Sequence, residues 1–418
     1  MRAPTPPLRR SNMNEQRRAI IKNSHVIDAT SQEPRELTVV VEGSQIVDLL
    51  PPGSPAPAGD AREIDLDGGW LTPGLWDVHT HIGRGIPDPG WRDESIAERT
   101  TRAGHDCMNA LALGITGMRV VGEREYVDVA WKRAFDSGQF IGPSLFTCGW
   151  FLTTTAGHFL RSGTAKELDG PTEYRRAIRE NIKNGVDFIK LNLSGGIMGP
   201  PWDGMQRTFP TPDEIDAAFE ICHQRDYKVV AHAGGTDAIK TAISHGAWTL
   251  EHGYVLDDEA VAMMAHAGTY YVPTLGLSHL NRGPAYAESE VERAWAESHP
   301  APPDYAARAV VAAEAHAAGF KKALDAGVPI ANGSDLALPD GGLLELGQLV
   351  RRGMSEWQAI VAATKTSAEV CLAGDQRGTV EVGKAADLLA LGSNPLDDIE
   401  NVRDVQLVMK DGDVVVRR

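Results

Sequence analysis

Eight short apolar segments, each followed by an amphipathic stretch, fill the chain from residue 75 to residue 335. They are LWDVHTH (75–81), TGMRVVGE (116–123), PSLFTCG (143–149), DFIKLNLSG (187–195), KVVAHAG (228–234), WTLEHG (248–253), YYVPTLG (270–276) and PIANGSD (329–335). Near-continuous apolar runs read as strands buried on both faces, and helices between strands imply parallel pairing. The helices announce their ends. Thr211-Pro212-Asp213-Glu214 combines an N-cap, a proline at the first helical position and a capping-box glutamate. Ile215, Ala218, Phe219 and Cys222 then follow along one stripe. Asp237 reads as the cap of a helix that turns Ala238, Ala242 and Ile243 inward and ends at Gly246. Asp257 opens another that Gly268 closes. Eight such β/α units predict an α/β fold, a (β/α)8 TIM barrel over residues 73–376. A doubly wound open sheet is the competing arrangement. It more often carries a Gly-rich phosphate loop, and no such loop is present.

The two ends of the chain have a different texture. Residues 19–72 contain AIIKNSHVIDA, ELTVVVEGSQIVDLLP and REIDLDGGWLTP, and residues 377–418 contain ADLLALGS and VQLVMKDGDVVVRR. These alternate like strands, with turns at Glu42-Gly43-Ser44 and Asp411-Gly412. Neither end has strands enough to stand alone, so together they predict one small composite β-sandwich. Residues 1–18 are polar, basic and proline-rich and lack the apolar centre of a secretory signal. They are expected to form a disordered arm, with Met13 as an alternative start.

Composition narrows the partners. A net charge of −16 argues against a nucleic-acid partner. No apolar run approaches the ~18 residues of a membrane span. Four scattered cysteines, none in CxxC spacing, suggest a reducing cytoplasm.

The polar residues inside the apolar segments carry the chemistry. His79 and His81 end the first strand, one residue apart, so both rings point to one side. Lys190 interrupts the fourth strand between Ile189 and Leu191. His232, His252 and Asp335 end the fifth, sixth and eighth. In a barrel of this kind such positions converge at the C-terminal mouth, where active sites form. Imidazole and carboxylate suit zinc and similar cations. A bare ammonium among them would be desolvated and would repel a cation. A lysine converted by CO2 to a carbamate would instead bridge two metals.

This arrangement resembles the amidohydrolase superfamily of binuclear type. Its H-x-H is His79 and His81, its bridging carboxylated lysine Lys190, its later histidines His232 and His252, and its last-strand aspartate Asp335. GTVEVGKAADLLALGSNPLDDI (378–399) resembles the family's return from barrel to sandwich. EHGYVLDDEAVAMMAHAGTYYVPTL (251–275) and DFIKLNLSGG (187–196) look most like the imidazolonepropionase-like and Xaa-Pro dipeptidase-like branch.

The resemblance implies two divalent metal ions, foremost zinc, and hydrolysis of a C–N bond in a small-molecule amide, dipeptide, carbamate or urea by metal-bridged hydroxide. It assigns Asp335 as general base and then acid. It places His158, in TTTAGHFLRSG, against the carbonyl oxygen of the substrate. TAGHF departs from the GGHG type expected of dipeptidases, which leaves substrate class open. Tyr254 is a substrate contact or a packed tyrosine. Lys190 has the alternative of an ion-paired lysine beside one metal, and His158 that of a solvated loop residue.

Ring opening or deamination of a heterocycle is the second function, and a non-catalytic scaffold of the same fold the remote third. The remaining histidines, His279 and His316 among them, read as structural or surface residues. Trp91, Trp150, Phe151, Phe159, Trp202 and Tyr254 are candidates to wall a pocket, and Arg84, Arg92 and Arg161 to bind a substrate carboxylate. Homo-oligomerisation is common in the family, but no residue here decides it.

Overall fold

The computed structural model describes residues 18–55, 59–83, 94–158, 163–200 and 202–418. Most of the arm expected at residues 1–18, Met13 included, lies outside these.

The fold is α/β with two parallel sheets. One has the strands Leu75–Thr80, Ile115–Val120 and Ser144–Thr147 in that order. The other runs Ala165–Glu167, Phe151–Thr153, Ile189–Asn192, Val229–Ala233, Thr249–His252, Tyr270–Val272. Every residue of Leu75–Thr80, Ile115–Val120 and Val229–Ala233 is buried, as strands covered on both faces require.

Backbone hydrogen bonds link the sheets at both ends. Asp187 N–H donates to the Thr147 carbonyl at 2.8 Å. Tyr271 N–H donates to Pro329 at 2.8 Å, Ala331 N–H to Tyr271 at 2.9 Å, and Val78 N–H to Asn332 at 2.9 Å. The segment 329–335, read as a full eighth strand, makes only a single bridge, Ile330 to Tyr271. Pro329 has no N–H to donate, and Asn332 N–H bonds instead to Ala362 at 3.2 Å. Phe151–Thr153 and Ala165–Glu167 were not anticipated from the sequence; each is three residues long, too short to show a period.

Helices cover the sheets. Pro212–Gln224 has the anticipated Thr211/Glu214 capping box and buries Ile215, Ala218, Phe219 and Cys222. Each large apolar side chain buried this way contributes about 1.5–3 kcal/mol. Asp257 accepts from Ala260 N–H and Gly268 ends that helix. Asp237, however, does not cap. Its helix is Thr236–Ser244, with Gly235 as N-cap, because the extended Gly235 already accepts the first helical bond, from Ile239 at 3.0 Å. Asp237 lies in the first turn, where a carboxylate still complements the helix dipole.

Both chain ends meet in one eight-stranded sheet. Its order is Asp413–Arg417, Val405–Lys410, Leu388–Leu391, Trp70–Pro73, Arg18–Val26, Arg35–Glu42, Gln45–Leu50, with Arg62–Asp65 also paired to Arg18–Val26. Ile21, Val39, Ile46, Leu71, Leu388 and Met409 share its core. The turn at Asp411 and Gly412 has positive φ at both residues, 49° and 78°, the conformation that suits a tight hairpin. Cys107, Cys148, Cys222 and Cys371 are free and buried.

Candidate metal centre

At the C-terminal ends of the parallel strands lies a small cavity. It is lined by His79, His81, Phe151, His158, Lys190, Asn192, His232, His252 and Asp335. The structure therefore brings together seven of the eight candidate site residues. The eighth, Tyr254, is buried beside them, stacked on His252 at 5.4 Å and edge-on to His316 at 5.2 Å. Trp202 is exposed. Arg84, Trp91, Arg92, Phe159 and Arg161 lie outside the described residues.

One side of each ring is already taken. His79 Nδ1–H donates to Glu251 at 2.5 Å and His81 Nδ1–H to the Gly122 carbonyl at 2.9 Å. His252 Nδ1 is hydrogen-bonded to the Thr274 hydroxyl at 2.7 Å. His232 is reversed, with Nε2–H donating to the Gly195 carbonyl at 3.1 Å. Such outer bonds fix the tautomer of a metal-binding histidine. They leave Nε2 of His79, His81 and His252, and Nδ1 of His232, as lone-pair donors. Ligand atoms of His79, His81 and Asp335 lie within 4.8 Å of one another, with His81 Nε2 3.6 Å from Asp335 Oδ1.

Electrostatics matches this set. Burial, then the nearby cationic groups, holds His79 well below the ordinary imidazole range. Burial and neighbouring histidines do the same to His232 and His252. Neutral imidazoles are the form that binds a metal. Burial brings Lys190 down to about 8. Among the described residues its Nζ has no hydrogen-bond partner. A buried polar nitrogen left unpaired is costly, so a partner absent from the bare chain is called for. A carbamate with cations on its oxygens fits, and so does the donor set of four imidazoles and a carboxylate.

Two of the cavity residues sit in strained backbone. His252 and Asp335 have φ of 69° and 51°, the left-handed region that side chains other than glycine rarely adopt. The His252 carbonyl is held by the Tyr271 hydroxyl at 2.7 Å and His316 Nε2–H at 2.9 Å. Asp335 N–H donates to the His79 carbonyl at 2.8 Å. Asp77 ties the same two segments, accepting from His79 N–H at 3.1 Å, Ser334 N–H at 3.0 Å and the Ser334 hydroxyl at 2.6 Å. Arg119 grips Glu251 at 2.8 and 2.9 Å and so steadies the carboxylate behind His79.

Sequence reasoning missed these supports. Asp77 sits two residues before His79 on the same strand face, a readable signal. Arg119 interrupts an apolar strand just as Lys190 does. His316 carried no signal on its long helix. Asp203, which accepts from His158 Nδ1–H at 2.6 Å, carried none either.

Residues 70–415 match the model of the amidohydrolase family. An ochratoxinase of Aspergillus niger is 30% identical over 369 residues, covering 81% of this chain and 73% of the relative. The crystal structure of an Xaa-Pro dipeptidase with bound methionine superposes with a TM-score of 0.84 at 28% identity, covering 95% of this chain and 99% of the other. The A. niger ochratoxinase structure superposes with a TM-score of 0.82 at 26% identity, covering 97% and 96%.

Proposed function

This chain belongs to the amidohydrolase family, and on that premise we propose a metal-dependent hydrolase of carbon–nitrogen bonds in small molecules. The observation that carries the reading is Lys190: a buried amine, unpaired among the described residues, beside four histidines and an aspartate that line one cavity.

The finer architecture supports this. The hydrogen bonds that join the two parallel sheets at both ends favour closure into one eight-stranded (β/α)8 barrel over residues 73–376. The single sheet shared by residues 19–72 and 377–418 would then curl on itself as the flanking sandwich.

His79, His81 and Asp335 would hold one metal and His232 and His252 a second, with carboxylated Lys190 supplying a further anionic ligand. With burial holding the amine near 8, a useful fraction is neutral and able to add CO2. When bound, two divalent cations, foremost zinc, supply an acidified water and an electrophile for the scissile carbonyl. Asp335 accepts the proton of the attacking water and returns it to the leaving nitrogen. His158 donates a hydrogen bond to the carbonyl oxygen as charge develops there. Phe151 bounds the site on an apolar side, and Tyr254 packs behind His252.

The names of the relatives, ochratoxinase and Xaa-Pro dipeptidase, favour amides, dipeptides included, within the wider class of carbamates and ureas. A small molecule is the partner, with neither nucleic acid nor membrane. A charge of −16 favours this, and no helix of the described residues is long and apolar enough to cross a membrane. A cytoplasmic setting completes the reading.

The test is a hydrolysis panel of Xaa-Pro dipeptides, N-aryl amides, carbamates and ureas with the zinc-loaded full chain. We expect amine release from at least one amide. The double variant His79→Ala/His81→Ala should lose both bound metal and turnover. Full activity in that variant, or no hydrolysis across the panel, overturns the reading.

A further inference from the structure

We infer that Asp203 is a positioning residue that fixes His158 in one orientation, with Nδ1–H held by the carboxylate and the Nε2 edge turned to the cavity. The inference rests on the hydrolase reading only for the task assigned to Nε2.

Five observations converge on it. Asp203 is fully buried, and its Oδ2 lies 2.6 Å from His158 Nδ1. An acceptor-only carboxylate there requires a proton on Nδ1. The other oxygen, Oδ1, accepts from Gly196 N–H at 3.1 Å, so the carboxylate cannot rotate away without losing a second bond.

The backbone is shaped around the pair. A Cβ on Gly196 would run into the His158 imidazole, and one on Gly199 into the Asp203 carboxylate. These glycines serve close packing of the pair. A ligand approach is not needed to explain them.

The turn that carries Asp203 is clamped from outside. Arg308, on the helix Pro303–Asp325, donates to the carbonyls of Gly199, Pro200 and Asp203. Finally, the His158 ring stacks on His232 with centroids 4.4 Å apart and planes 26° apart. The Gly195 carbonyl that sets the tautomer of His232 belongs to the same stretch of chain. One stretch therefore orients a metal-binding imidazole and a substrate-facing one together.

The variant Asp203→Asn keeps shape and an acceptor for Gly196 N–H but removes the carboxylate. Nuclear magnetic resonance of the zinc-loaded full chain, labelled with 15N-histidine, should show a downfield imidazole N–H. That signal should vanish in His158→Gln and move upfield in Asp203→Asn. A signal that is absent, or that Asp203→Asn leaves in place, overturns the proposal.

The kinetic arm uses whichever amide of the panel is cleaved fastest. Asp203→Asn should lower kcat on the order of 10²-fold, the scale of one positioned proton-transfer or hydrogen-bonding group. KM should change less than about threefold and metal content not at all. In the His158→Gln background Asp203→Asn should cost nothing further. Multiplying losses, or loss of metal, would instead mark Asp203 as merely structural. If no amide is cleaved, the hydrolase reading fails, while the resonance still decides the orientation of His158.

Discussion

At the scale of single residues, the account turns on polar groups placed where burial gives them no structural excuse. Lys190 is the sharpest case, because its Nζ is buried and unpaired among the described residues. If its carbamate joins the metals, Lys190→Ala should lose turnover by at least the ~10²-fold that even outer partners of metal ligands command. Short carboxylic acids such as acetate or propionate should then restore part of the rate, by supplying the missing carboxylate. Turnover assays across acetate concentrations check this. Indifference of the variant to every carboxylate would argue against a bridging role. The six ligand candidates were legible because each interrupts or ends an apolar strand. Glu251, Asp203 and His316 were not, for a physical reason: each acts by touching a residue far away in sequence. Glu251 reaches His79 across 172 positions and His316 reaches His252 across 64. A pattern of spacing along one strand or helix holds no record of such contacts.

At the scale of elements, the parallel strands read clearly because they are buried on both faces. The last one did not, since its backbone bonds are shared among three neighbours instead of one. Cap chemistry was legible at Thr211 and Asp257 but misread at Asp237, where a glycine two residues earlier can begin the helix. One element contact makes a pH prediction. Asp128, on the helix Val127–Asp136, accepts from Cys148 N–H at 3.1 Å and Gly149 N–H at 2.8 Å. It thereby pins the turn that leads from Ser144–Thr147 to Phe151. Burial pushes its carboxyl from 3.8 up to about 7. The folded state thus holds this proton more tightly than the unfolded chain does. Its contribution to stability is complete below about pH 4 and is lost as pH rises through about 7. Asp128→Asn has no such titration. Between pH 5 and pH 8 the parent should therefore lose stability relative to Asp128→Asn. Denaturant unfolding of both proteins at the two pH values measures this, and parallel curves would contradict it.

At the scale of the whole molecule, the chain ends and the parallel strands form one structural argument. Trp70–Pro73 pairs with Leu388–Leu391 and runs directly into Leu75–Thr80, so the sheet built from both termini is continuous with the strand that carries His79. The opposite ends of the parallel strands hold no comparable cluster of imidazoles among the described residues. The candidate site thus lies at one face, where strand ends, strained turns and the Asp203 stretch meet. The central claim is that this face holds two metals and hydrolyses C–N bonds with them. Its most direct test is a titration of chelator-stripped protein with zinc, reading amide hydrolysis against bound metal per chain. The account predicts no turnover in the stripped protein and a rise that levels off at two equivalents. Undiminished hydrolysis without metal, or a plateau at one equivalent, would contradict it.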